Sequence, residues 1–576
     1  MKARILGLGF LIGLLVFGPM ASIARQASAG TSQNRQNARS AKLVGATLES
    51  LIPQDVAAVL FIRDLRALRD GLRQSALTRA ALETTLPLGR YLRGIVEGLD
   101  LSGAMSLGAK ARYALLVLEA ADPPRAVVLA EAASPEEATR AAKRVRAALE
   151  RHGPVRALAG RQTPIWQSSP AFHGEALGLA QRDRVLIFGP IAAVERLIED
   201  RAKTPKLAER PDFRLLQERS AKGAVFAFLN LERITPYVIG RVTARPIGGS
   251  ISLLVPLLQF LGLSAFKAAG LTLAFEADTA LEEHHVIVDR KQSAMVAALI
   301  EAPTIEFATA QAIPEDVALA IFFGLDLARL YTAALTTLGP LISAQLGGQS
   351  PESAIALLEL QLGFRIKDEL LASLGQEAAL SWQIASDRVE RDLFLAVRNP
   401  DHLRAILEKV IARQGARPIV HREHAIYPLT DDLAITVTSS EAILARTERV
   451  KWILDQRDQG RVFGRTPGFA QWMSRRPPQA AFGMYATRAA LRLPWFHPLI
   501  AEGRSAEGTE AIGTFPPLLS SGFWFGDPVG LRGALTSALS SIVLLDALLS
   551  IRSAAPEQTL FGTLAFFTQM LTEDAR

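Results

Sequence analysis

The chain has 576 residues, of which 49% are hydrophobic, 21% charged and none cysteine, and its formal net charge is +7. Without cysteine it can form no disulfide, thiolate nucleophile or thiolate metal site, and it cannot be a lipoprotein held by a modified N-terminal cysteine. Its arginines interleave with glutamates, as in "EEATRAAKRVRAALER" (Glu136–Arg151), and that reads as a solvated helix face rather than a nucleic-acid surface.

The first element is an export signal. Lys2 and Arg4 precede an apolar run from Ile5 to Phe17, and the small residues Ala27 to Gly30 suit a signal peptidase, so cleavage is expected after Ala29. A retained transmembrane anchor would want about 20 apolar residues, and this run is shorter and broken by Gly7, Gly9, Gly13 and Gly18. Loss of Lys2, Arg4 and Arg25 takes the net charge three below +7, to +4. The expected location is the periplasm or the medium, and residues 30–45 read as a linker.

The folded part opens on "IPQDVAAVLFI" (Ile52–Ile62), and "IPEDVALAIFF" (Ile313–Phe323) nearly repeats it. Internal repeats govern the reading of everything else. "SLGAKARYALLVL" (Ser106–Leu118) is answered by "SLGQEAALSWQI" (Ser373–Ile384), and "VVLAEAASPEEATRAAKRV" (Val127–Val145) by "LFLAVRNPDHLRAILEKV" (Leu393–Val410). "RPDF" (Arg210–Phe213) with "AVFAFLNL" (Ala224–Leu231) is answered by "TPGF" (Thr466–Phe469) with "AAFGMYAT" (Ala480–Thr487). "AAGLTLAFEAD" (Ala268–Asp278) is answered by "SSGFWFGD" (Ser520–Asp527), so that six landmarks recur in order at offsets of 250 to 267.

These spacings predict two tandem homologous domains, residues 46–300 and 301–545, followed by a helical tail over 546–576. Alternation in "YALLVL" and "RAVVLAEA" predicts antiparallel strands with one face packed. Amphipathic helices must cover that face, which gives an α+β class. Phe61 should fall on Phe322 and Gly270 on Gly522. Asp64, Asn230 and Asp326 each stand between an apolar strand and a helix, where a side-chain oxygen can cap the helix.

The "IPxDV" opening, "DELLASLGQEAALSW" (Asp368–Trp382) and "NPDHLRAILEKV" (Asn399–Val410) resemble a family of exported bacterial envelope proteins that carry a domain of unknown function. The resemblance implies an envelope location and a duplicated α+β fold, and it supplies no catalytic residue.

The eight histidines are the natural place to look for chemistry. "HREH" (His421–His424) puts two imidazoles three apart, but the matching place in the first copy, "GRQTPIW" (Gly160–Trp166), keeps only Ile165 and Trp166 as counterparts of Ile426 and Tyr427. A loop leading into a strand explains both versions without a metal. His284 and His285 are adjacent, so on a strand they point to opposite faces, and they are expected at the water-exposed start of a hairpin. The G-x-S-x-G, P-loop and S-x-x-K motifs are absent.

No cofactor, metal or catalytic residue is assigned, and no enzyme is expected. The first reading is a non-catalytic binding or scaffolding module of the envelope with an unidentified partner. The alternatives are a carrier of lipid or another apolar ligand, and a hydrolase whose acids meet only in the fold. The candidate apolar binding face is Leu257, Leu258 and Leu261, within "IGGSISLLVPLLQFLGLSAF" (Ile247–Phe266), twenty residues without a charge. Domain interface, ligand groove and peripheral membrane contact are the three uses such a run could have.

Overall fold

The computed structural model describes residues 48–98, 107, 111–119, 126–158, 163–168, 176–199, 205–220, 223–244, 262–345, 350–385, 388–494, 496, 512–528 and 530–538. The signal segment 1–29, the linker 30–45, the face at Leu257, Leu258 and Leu261, and the tail 546–576 lie outside the described residues.

Among the described residues, ten strands precede residue 289: β1 (Ala58–Ile62), β2 (Arg112–Val117), β3 (Ala126–Glu131), β4 (Val155–Ala157), β5 (Ile165–Ser168), β6 (Leu177–Arg182), β7 (Val185–Pro190), β8 (Val225–Asn230), β9 (Phe266–Glu276) and β10 (Thr279–Val288). Ten follow: β11 (Leu319–Gly324), β12 (Leu374–Ala385), β13 (Arg388–Val397), β14 (Ile419–His421), β15 (His424–Pro428), β16 (Leu433–Val437), β17 (Glu441–Arg446), β18 (Phe482–Thr487), β19 (Leu518–Gly526) and β20 (Gly530–Ser537). With the helices between and around them, the chain is a mixed α+β fold on a large antiparallel sheet.

The pairings run β4-β5-β6-β7-β3-β2-β1-β8-β9-β10 and continue β20-β19-β18-β11-β12-β13-β17-β16-β15-β14, antiparallel at every step. Read inward from either edge, the strands follow one another in the same sequence. The two series meet where β10 pairs with β20, from Ala280 opposite Ser537 to Ile287 opposite Gly530. Residues 301–312 hold no strand, yet the sheet runs on through this seam. Arg219 Nη1 meets Asp527 Oδ2 at 2.5 Å across it.

Period-two alternation sorts the strand side chains into two layers. Leu60 and Ile62 join one core that extends on the same side to Leu319 and Phe323. Val59 and Phe61 belong to a separate core on the opposite face, with Phe213, Phe226 and Phe228. Ala320 and Phe322 belong to a third, with Phe307, Phe463 and Trp472. One face is therefore continuous across the seam, and the other is divided.

Helix starts follow local chemistry. Asp64 Oδ1 accepts the Ala67 N–H at 2.8 Å and Asp326 Oδ1 accepts that of Arg329 at 3.0 Å. Ser134 and Asn399 cap the helices Pro135–His152 and Pro400–Arg413, each with proline in the first turn. Asn230 departs from expectation. It ends β8 with only 1% exposure, and its Oδ1 has no hydrogen-bond partner among the described residues, so it caps nothing.

The register also separates two expectations that the text had joined. Phe61 lies opposite Ala114 and Phe322 opposite Ala379, so these phenylalanines hold like positions. Gly270 lies opposite Phe228, whereas Gly522 lies opposite Met484. Counted outward from Phe61 and Phe322, the place of Gly270 is held by Ser521. A slip of one residue moves a side chain to the other face. Here the ring of Phe523 decides the register: it stacks on Trp472 at 4.7 Å inside the third core.

Candidate functional site

The "HREH" segment is a tight hairpin turn between β14 and β15 rather than a loop, with Arg422 in the left-handed region at φ 53°. His421 and His424 are direct cross-strand partners. His421 Nε2 lies 2.9 Å from Asp455 Oδ1, and Arg422 bonds Asp458 at 2.6 Å. Both acids belong to the helix Thr447–Asp458, so the charges of the hairpin tie β14 to that helix. Burial draws His424 below its ordinary value. Among the described residues no group of three or more His, Asp or Glu is placed to hold a metal ion.

His284 and His285 are not at the exposed start of a hairpin. They sit in the middle of β10, paired on one side with β9 and on the other with β20. They do point to opposite faces. His284 Nε2 lies 3.2 Å from the buried Glu282 carboxylate, and its ring stands edge-on to Trp524. His285 is 3% exposed, and neither ring nitrogen has a hydrogen-bond partner among the described residues. Burial draws its pKa down to about 4, and the nearby Arg532 and Arg219 act in the same direction.

Acids that meet in the fold are matched by arginines. Asp392 is buried under Arg449, whose Nη2 donates at 2.9 Å, and burial, helped by the nearby Glu390 charge, holds the Asp392 carboxyl above its usual range against that partner. Ser381 Oγ donates to the same carboxylate at 3.3 Å, and Arg449 stacks over Trp452 at 4.0 Å. In the first half, a cleft of about 330 Å³ lies between Gln54, Asp55, Arg210, Asn230, Glu232 and Arg233. Asp55 there meets Arg196 at 3.0 Å, and Glu232 meets Arg210 at 3.1 Å and Lys267 at 2.9 Å. Carboxylates tied to arginine in this way act as structural links.

The surface is less conventional at one place. The helix Pro351–Leu362 is well terminated, with the Ser350 Oγ accepting the Ser353 N–H at 3.2 Å and Gly363 closing it at φ 72°. It lies on the helix Leu327–Gln345 and contains no fully buried residue. Ile355, Leu358 and Leu362 face inward to the continuous core, while Leu357 and Leu360 are 51% and 78% exposed. Arg413, ending the helix Pro400–Arg413, donates to the Gln361 carbonyl. A short link leads from Arg413 to β14, where Val420 is 74% exposed. Of the five exposed large apolar residues described, Leu357 and Leu360 lie on this helix and Ile419 and Val420 on β14.

Sequence reading missed this surface. The charged residues Glu352 and Glu359 interrupt the apolar pattern around Leu357 and Leu360, so no uncharged run marked it.

No protein-family model matches the chain, and no curated protein matches it. A solved structure, crystal form IV of TP0453, aligns with 41% of this chain and 78% of its own at a TM-score of 0.23 and 8% identity. A likeness of that size carries no argument about fold or function.

Proposed function

We propose that this chain is an exported, non-catalytic binding or scaffolding protein of the bacterial envelope, made of two copies of one α+β unit joined edge to edge. The like strand order on either side of the β10–β20 seam supports the duplication, as do the like positions of Phe61 and Phe322. Ile165 and Ile426 agree as well, facing Ala180 and Thr436 on matching strands. The resemblance to exported proteins and the Lys2 to Gly30 segment support the location.

The observation that carries binding is the surface at Leu357, Leu360 and Val420. Large side chains left in water by a well-capped helix and an edge strand gain by being covered, and their exposure does nothing for the core beneath. The chain contributes a broad rigid sheet, and this surface is its point of contact.

Hydrogen exchange read by mass spectrometry tests the reading. Amides of residues 351–362 and 419–421 are expected to exchange more slowly in isolated envelopes than in the purified chain. Equal exchange in both settings would mean that nothing covers the surface, and the binding role would fall.

A further inference from the structure

The cleft beside Asn230 stands apart from the surface at Leu357 and has a chemistry of its own. Asn230 ends β8 at 1% exposure and borders the cleft, and its Oδ1 accepts no hydrogen bond among the described residues. A buried acceptor in that state costs its desolvation and returns nothing to the fold. The second half shows that the strand does not require it. Leu229 lies opposite Ala58 and Ala486 opposite Leu319, so Thr487 holds the place of Asn230, and Ala489 and Ala490 those of Glu232 and Arg233. Thr487 Oγ1 donates to the carbonyls of Val317 at 3.2 Å and Ala318 at 3.4 Å and is satisfied there.

The lining excludes most occupants. Asp55 meets Arg196 and Arg233, and Glu232 meets Arg210 and Lys267. Arg196 also meets Glu119, and Arg210 meets Asp212. Within this network four cations face four acids, which leaves no net charge to select an ion. Among the described residues that line the cleft only Pro205 is apolar, whereas a pocket for an apolar ligand is lined mainly by hydrophobic side chains. A peptide cannot add here as a further strand, because β1 and β8 are each paired on both sides. What fits is a neutral molecule covered in hydroxyl groups, each of which donates once and accepts twice. A volume of about 330 Å³ suits a small ligand of that kind.

We infer that this cleft is a saccharide site. Asn230 Oδ1 accepts from one sugar hydroxyl, and Gln54 and Arg233 donate to its neighbours, with Asp55 holding Arg233 in place at 3.6 Å.

The test is saturation-transfer NMR of the purified chain with glucose, galactose, mannose and N-acetylglucosamine, and with glycine and inorganic phosphate as charged controls. Each is supplied at about 10 mM, enough to occupy most of a site whose Kd is about 1 mM. At least one sugar is expected to bind, and neither control. Asn230→Thr supplies the hydroxyl that Thr487 already places in the second half, so the variant should melt no lower than the parent while its sugar binding falls at least about tenfold. Arg233→Gln alters a side chain that is 59% exposed, so it should fold as the parent does and bind sugar several-fold more weakly. Leu360→Asp should bind sugar as the parent does.

No signal from any of the four sugars overturns the saccharide assignment. So does binding of glycine or phosphate in their place, which would make the cleft an ion site, and so does equal binding by the parent and the folded variants. Should Asn230→Thr fail to fold, Arg233→Gln decides alone. None of these results bears on the exchange experiment at residues 351–362 and 419–421, so the two sites stand or fall separately.

Discussion

His285 and the Asp392–Arg449 pair place ionisable groups where water does not reach, and each carries a testable cost. His285 is held neutral, with a pKa drawn down to about 4 from 6.5. Between those values the unfolded chain binds the proton that the folded chain refuses, so folding is favoured above pH 6.5 and that advantage is lost as the pH falls towards 4. It amounts to at most about 3 kcal/mol. Urea unfolding of the parent and of His285→Leu at pH 7 and pH 5 should show a smaller loss on acidification in the variant. Asp392 and Arg449 differ in kind, because removing one partner leaves the other charged and buried. Arg449→Met alone or Asp392→Asn alone should cost about 3–5 kcal/mol, whereas Asp392→Leu with Arg449→Met should recover most of it. Denaturation midpoints of the three variants decide the matter. Gly483 makes a steric prediction: a Cβ there would lie 2.4 Å from the Phe307 ring and 3.0 Å from Trp472. Those rings are locked in the third core, so Gly483→Ala should destabilise by about 1–3 kcal/mol in the same assay.

Among the elements, the helix Pro351–Leu362 separates stability from surface chemistry. Its caps and its inward side chains Ile355, Leu358 and Leu362 hold it in place, while Leu360 contributes almost nothing to the fold because 78% of it remains in water. Leu360→Asp should change stability by no more than about 0.5 kcal/mol, in contrast to Leu358→Asp, which puts a charge against the core and should cost several-fold more. Thermal melts of the two variants would show whether the helix is oriented as described. The strands at the two sheet edges, β4 and β14, are three residues long. Short edges of this kind limit uncontrolled pairing with other chains.

At the scale of the whole molecule, the seam is the consequential feature. Eight residues of β10 pair in register with β20, and the core on one face extends from Leu60 to Phe323 without a break at the seam. From Ile305 the chain packs into the third core, so the link at 301–304 is a connection rather than the joint that holds the halves. A protease site inserted after Thr304, where the chain is exposed, should give a cut protein that still elutes at full size under native conditions and separates only in denaturant. Two half-size particles after cutting would mean that the seam is too weak to hold them.

Much of this architecture was legible in the residues. The α+β class, the antiparallel alternation, the caps at Asp64 and Asp326 and the like places of Phe61 and Phe322 all follow from spacings of a few residues, where backbone geometry and side-chain period act locally. The repeated text also pointed from Ile165 to Ile426, two residues after "HREH", and the two hold like places in the pairing. What needed the tertiary structure were the long-range choices. No local pattern says that β10 will pair with β20, and so none says that His285 will be buried or that Gly522 will face the side opposite to Gly270. The exposed leucines escaped for a related reason. An apolar run in sequence reads as core, and only packing decides which of its faces is covered: among the described residues, one side of Pro351–Leu362 packs on the core and Leu357 and Leu360 on the other stay exposed.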